Sequence, residues 1–156
     1  MKKIAVYPGT FDPLTNGHVN IVERALRIFD QVIVAVAENP DKRPFLTYQR
    51  RIELATQCFL AQKGVVVEGF SGLLTDFVVS KNTTIVIRGL RAVSDFEYEF
   101  MLAGMNRKLM PMIETVYLMP SDDYMFVSSS FVREVAKLKG DISALVPNAV
   151  LMALSE

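Results

Sequence analysis

Ile4-Ala5-Val6-Tyr7, Pro8-Gly9-Thr10 and Thr15-Asn16-Gly17-His18 follow one another at the start of the chain, and their order settles the architecture. The first run is short, apolar and β-prone, so it reads as a strand. Pro8-Gly9-Thr10 reads as the turn leaving it, and Val19 to Phe29 repeats its apolar residues at helical spacing. His18, the only histidine, then stands at the positive end of a helix. There, unpaired backbone N–H groups, a glycine that admits close approach and an imidazole donor converge, as a phosphate requires. A single histidine near a helix start ordinarily caps the helix or faces solvent. Gly9 and the hydroxyl of Thr10 in the same connection favour a site.

Outward from this unit the same alternation recurs. Gln31 to Ala37, Val65 to Phe70, Thr84 to Arg88 and Glu114 to Met119 read as strands. Between and after them, Thr47 to Lys63, Leu73 to Lys81, Asp95 to Leu109 and Ser128 to Leu138 read as helices, and a short terminal helix starts at Pro147. Strands that are apolar on both sides belong to a parallel sheet covered by helices. The expected fold is α/β: a Rossmann-like, doubly wound, five-stranded parallel sheet with helices on both faces, one domain over residues 1–156. Ligands of such sheets bind at the carboxyl ends of the strands, where the strand order reverses.

The 156 residues are 51% hydrophobic and 22% charged, which suits a globular chain and excludes a disordered one. Seventeen basic and seventeen acidic side chains cancel, so no global field draws in nucleic acid or an anionic membrane. No apolar run approaches the roughly 18 residues of a membrane span, and the run after Met1-Lys2-Lys3 is too short for a signal peptide. Cys58, alone, cannot form an intrachain disulfide and reads as a small buried hydrophobe. A reducing cytoplasm is the expected location. Met101, Leu102, Met105 and Leu109 recur at helical spacing and read as core, with an apolar ligand pocket as the alternative.

The polar residues fall where the fold expects a ligand. Gly9, Thr10 and the turn to His18 follow strand one; Lys42 follows strand two; Arg88, Gly89 and Arg91 follow strand four; Ser128, Ser129 and Ser130 follow strand five. Lys42 alone reads as a solvated loop charge, and the serines alone as a helix cap; sharing one rim makes them a polyphosphate site. Arg88 directly continues a buried strand and needs a partner. Cations and hydroxyls without a nucleophile–base pair suit transfer of a phosphorus group between bound oxygens, achieved by positioning. The helix terminus should keep His18 neutral, a donor rather than a base.

Thr15-Asn16-Gly17-His18 resembles the first signature of the nucleotidyltransferase superfamily, and Val127-Ser128-Ser129-Ser130-Phe131-Val132-Arg133 its second. With Tyr7 to Pro13, Arg88 to Ala92 and Asp95 to Glu99, the chain is similar almost throughout to the bacterial phosphopantetheine adenylyltransferases. Val127 stands where isoleucine is usual, which keeps an apolar anchor. The resemblance implies transfer of the adenylyl group of ATP to 4′-phosphopantetheine, giving dephospho-coenzyme A and pyrophosphate in coenzyme A biosynthesis, by in-line displacement. It implies His18, Lys42, Arg91, Thr10 and Ser129 as catalytic residues. For ATP it implies Thr10, Phe11, His18, Gly89, Leu90, Arg91, Glu99, and Tyr124, Met125, Phe126, Val127, Ser128, Ser129 and Ser130. For 4′-phosphopantetheine it implies Thr10, Lys42, Leu74, Arg88, Leu102, Met105, Asn106 and Glu134. It further implies Mg2+ carried with ATP rather than held by a carboxylate cage, a homohexamer built as a dimer of trimers, and inhibition by coenzyme A.

Two alternatives remain open on the residues: another small nucleotidyltransferase, acting on nicotinate mononucleotide or on a phosphoalcohol with CTP, and a nucleotide-sensing module without turnover. The Arg88 to Arg91 and Asp95 to Glu99 segments argue against the first. An aminoacyl-tRNA synthetase is excluded by length and neutral charge.

Overall fold

The computed structural model describes residues 1–39 and 43–155, Ser94 by its backbone only. Five strands, β1 (Ile4–Gly9), β2 (Gln31–Ala37), β3 (Val65–Phe70), β4 (Ile85–Gly89) and β5 (Glu114–Leu118), form one parallel sheet in the order β3-β2-β1-β4-β5. The helices are α1 (Asn16–Ala25), α2 (Tyr48–Phe59), α3 (Leu74–Ser80), α4 (Val93–Leu109), α5 (Ser129–Lys137) and α6 (Asn148–Ser155). A 3-10 turn, Asp122–Tyr124, precedes α5. No helix among the described residues is long and apolar enough to cross a membrane.

Alternate residues of the strands face opposite sides, so the sheet has two cores. Ala5, Val32, Val34 and Ile87 pack with Ile21 and Val22 of α1, Leu54 and Phe59 of α2, Val132 of α5 and Val150 of α6. Val6, Ile33, Ala35 and Val86 pack on the other side with Val78 of α3 and with Ile113.

The order of the strands reverses between β1 and β4, and the ladder between them is short. Val6 pairs with Val86 and no further rung follows among the described residues, while β1 and β2 stay paired to Gly9 and Val36. Pro8 explains the opening. Two residues beyond Val6 it faces the same neighbour, but it has no N–H for the ladder, and its carbonyl accepts instead from Arg88 Nη1 at 3.1 Å. The sequence reading ended the first strand at Tyr7; the strand continues through Pro8 and Gly9 because its β2 side is unaffected.

Candidate active site

A cavity of about 430 Å³ lies over the carboxyl ends of β1 and β4. One wall is the β1–α1 connection: Gly9, Thr10, Phe11, Asp12, Gly17 and His18. Thr15 is the N-cap of α1 and His18 its third residue, joined in a capping box. The Thr15 N–H donates to His18 Nδ1 at 3.0 Å, and the His18 N–H donates to Thr15 Oγ1 at 3.4 Å. Because Nδ1 is the acceptor, the neutral ring carries its proton on Nε2. The ring edge meets Phe11 (centroids 5.0 Å apart, 80°), which is buried at a positive φ of 50°, so the imidazole is fixed from below. Burial holds its pKa down at about 3, with Arg91 and then Arg88 adding to the effect. The expectation of a neutral donor agrees with this, but desolvation and two guanidiniums, rather than the helix terminus, are the main causes.

The facing wall comes from β4 and α4. Arg88 donates from Nε and Nη2 to the two carboxylate oxygens of Glu99, at 2.7 and 2.6 Å. Burial alone would lower its pKa; the hydrogen bonds and charge of Glu99 outweigh it, and the net direction is up. This fork-to-fork pair fixes the guanidinium plane, and beyond its bonds to Glu99 and Pro8 it retains N–H groups for a ligand. Arg91 donates to the Val127 carbonyl at 3.0 Å and pairs with Asp95 at 3.4 Å. Tyr7 lies between the walls, its phenol kept protonated chiefly by burial.

The third side is the start of α5. Ser128 is its N-cap, accepting from the Phe131 N–H, and Ser128, Ser129 and Ser130 line the cavity. The first-turn N–H groups of a helix have no intrahelical acceptor, so this turn offers amides to an anion. The Ser129 hydroxyl itself donates to the Pro13 carbonyl at 2.8 Å, which leaves its lone pairs and its amide for other contacts. Gly17 is the point of contact between the two motifs: a Cβ there would lie 3.7 Å from the Val127 carbonyl and 3.8 Å from that of Tyr124.

Thus Thr10, Phe11, His18, Arg88, Gly89, Arg91, Glu99, Val127, Ser128, Ser129 and Ser130 meet on one cavity. Lys42 lies outside the described residues. Leu90, Tyr124, Met125 and Phe126 flank the cavity without lining it, Phe126 being exposed. Leu74 borders a second cavity, of about 380 Å³, at the ends of β2 and β3 with Glu38, Asn39 and Phe70. Leu102 and the buried Asn106 lie on α4, Met105 and Glu134 are exposed, and none of the four lines the main cavity. Reading Met101, Met105 and Leu109 as core does not hold for the single chain: all three are exposed, because α4 turns Glu99 and Asn106 inward instead.

The cavity also has polar lining residues that the sequence reading did not assign to the site, among them Asp12, Glu38, Asn39, Arg43, Asp95 and Arg133. Arg133 donates to the Asp12 carbonyl at 2.7 Å and to Ser130 Oγ at 3.2 Å, and it ends the serine signature, so its signal was present. Among the described residues no group of three or more His, Cys, Asp or Glu is placed to hold a metal ion. Cys58 is half-buried, with its thiol pushed by burial up to about 11, and stands away from the cavity.

Residues 6–135 match the cytidylyltransferase-like family model. The chain is 57% identical to the phosphopantetheine adenylyltransferase of Ralstonia nicotianae, over 92% of this chain and 85% of that one. The chain belongs to the phosphopantetheine adenylyltransferase family. Another member, from Cupriavidus necator, is 56% identical over 98% of this chain and 95% of its own length. The Legionella pneumophila member is 54% identical over all of this chain and 92% of its own. A solved Vibrio parahaemolyticus structure, described as a candidate nicotinate-nucleotide adenylyltransferase, superposes along the whole length of both chains with a TM-score of 0.70 at 20% identity, which speaks for the fold alone. As a family member the chain is an enzyme, a nucleotidyltransferase.

Proposed function

We propose that this enzyme transfers the adenylyl group of ATP to 4′-phosphopantetheine, yielding 3′-dephospho-coenzyme A and pyrophosphate for coenzyme A biosynthesis. The observation that carries this is the meeting of the His18 turn, Arg88, Arg91 and the serine turn on one cavity, in a chain whose relatives bear that enzyme's name. A phosphate oxygen of 4′-phosphopantetheine attacks the α-phosphorus of ATP. The bond to the bridging oxygen breaks, and pyrophosphate departs with its electron pair. No covalent intermediate on the protein is needed. The Nε2–H of His18 meets charge growing on the α-phosphate oxygens, with Arg91, Thr10, Lys42 and the Ser129 amide beside it. Arg88 and Lys42 hold the incoming phosphate, with Leu74, Leu102, Met105, Asn106 and Glu134 towards the arm. Phe11, Gly89 to Arg91, Glu99 and Tyr124 to Ser130 serve ATP.

Mg2+ enters as part of the nucleotide substrate: Asp95 and Glu99 are paired with arginines and Asp12 with backbone amides, Glu38 alone is no cage, and oxygens of the triphosphate and water are its natural ligands. A homohexamer, a dimer of trimers, agrees with the outward apolar side of α4, where Phe96, Phe100, Met101 and Met105 are exposed. Coenzyme A, which carries both product halves, would compete for the same cavity as a feedback inhibitor. A reducing cytoplasm suits these substrates and the lone thiol. Incubation with MgATP and 4′-phosphopantetheine tests the reaction. Dephospho-coenzyme A in equal amount with pyrophosphate supports it; tight ATP binding without pyrophosphate, or turnover only with nicotinate mononucleotide, refutes it.

A further inference from the structure

Arg51 lies in the first turn of α2 and is 1% exposed, yet among the described residues no carboxylate pairs with it. Its guanidinium donates instead to four carbonyls: from Nη1 to Thr10 at 2.6 Å and Ala37 at 2.7 Å, from Nη2 to Glu38 at 3.1 Å, and from Nε to Leu46 at 3.3 Å. Its hydrogen-bond partners are neutral carbonyls, and burial lowers its pKa, opposed by the nearby charges of Asp12 and Glu38. The carbonyls explain it. Gly9–Val36 is the last rung between β1 and β2; past it the strand exits diverge, and one planar fork satisfies groups that no ladder reaches.

A second contact crosses the same gap. The Asp12 carboxylate, buried at 5% exposure, accepts from the Phe45 N–H at 2.7 Å and the Leu46 N–H at 2.8 Å. Asn39 Nδ2 donates to Thr10 Oγ1 at 3.0 Å. Thr10, Asp12, Asn39, Arg43 and Pro44 all line the main cavity. Neither Arg51 nor the Asp12 carboxylate is needed for the mechanism above.

We propose that Arg51, together with Asp12, is a positioning residue: it locks the β2 exit and the approach to α2 onto Thr10, so that the acceptor side of the cavity keeps its shape before a ligand arrives. This rests on the adenylyl-transfer reading, in which the β2 side, where Leu74 lies, takes 4′-phosphopantetheine together with Arg88 across the cavity, while the serine turn takes ATP. The test is steady-state kinetics of Arg51→Lys, which keeps the charge and loses the fork, and of Asp12→Asn, which gives up one of two acceptors, with melting curves alongside. The expected result is a rise of about tenfold in the KM for 4′-phosphopantetheine in each variant, with the KM for ATP within about threefold of wild type. Folded variants with both KM values unchanged, or with both raised equally, overturn the proposal and leave a core contact only. If Arg51→Lys does not fold, Asp12→Asn decides by the same split. Unmutated protein that makes no dephospho-coenzyme A would overturn the reaction and the proposal together, and is told apart because it precedes any variant.

Discussion

On one face of the sheet, α1, α2, α5 and α6 direct their apolar residues at the strands, and Ile21, Val22, Leu54, Phe59, Val132 and Val150 are all buried. On the other, α4 does the reverse. It turns Glu99, Asn106 and the half-buried Asp95 inward and leaves Phe96, Tyr98, Phe100, Met101, Met105 and Leu109 exposed, with Phe96 and Phe100 stacked 5.7 Å apart. Both α1 and α4 border the cavity, but at different places. α1 meets it with its amino end, where a capping box holds His18, so the rest of the helix is free to bury a stripe. α4 meets it along its flank, and its carboxylates are required inward to hold Arg88 and Arg91. Its apolar residues are displaced outward, and that exposed apolar side is where the proposed homohexamer would pack.

The sharpest way to break this contrast is at α1. His18→Ala should lower kcat by on the order of 10² to 10³, with the Kd for ATP from titration calorimetry nearly unchanged, because the donor acts as charge develops. A proportionate loss of ATP affinity would make His18 a ground-state contact. Next is α4. Replacing Phe100 and Met101 by Asp should convert the proposed homohexamer to smaller species in sedimentation while circular dichroism keeps the monomer fold. An unchanged sedimentation coefficient would mean that the outward face binds no second copy.

The pH dependence separates the helices more gently. The folded chain holds His18 neutral down to about 3, against 6.5 ordinarily. Unfolded chains therefore take up a proton that the native state refuses, and this contribution is complete above about pH 6.5 and lost as pH falls towards 3. Denaturant unfolding between pH 7 and 5 should show wild type losing stability on the order of 1 kcal/mol per pH unit faster than His18→Gln. Parallel slopes would mean that the ring titrates normally. Smallest of all is Cys58→Ser, distant from both helices' cavity ends, which should leave kcat/KM within roughly threefold; a folded but inactive variant would give the thiol a role.

Much of this was legible in the sequence, for a physical reason. Strands buried on both faces must be continuous β-branched runs, so Gln31–Ala37 and its counterparts stand out. Pro8 looked like a breaker because its missing N–H is written in the sequence, whereas the side on which it falls is not. His18, Arg88, Arg91 and the serine turn were readable because polar residues directly follow apolar strands. Arg51 was not, since its carbonyl partners lie 5, 13, 14 and 41 residues away and α2 hides it on an apolar stripe with Leu54 and Ala55. The orientation of α4 was equally hidden. Periodicity locates a face only when polar and apolar residues segregate, and α4 mixes them around its whole circumference.

The central claim is that the His18 turn and the serine turn grip one triphosphate between them. A crystal structure with Mg2+ and a non-hydrolysable ATP analogue tests it most directly. The account predicts His18 Nε2 within about 2.6–3.2 Å of an α-phosphate oxygen, with the phosphates lying between Gly17 and Ser129. A nucleotide bound elsewhere, or an imidazole turned so that Nδ1 faces the phosphate, would contradict it.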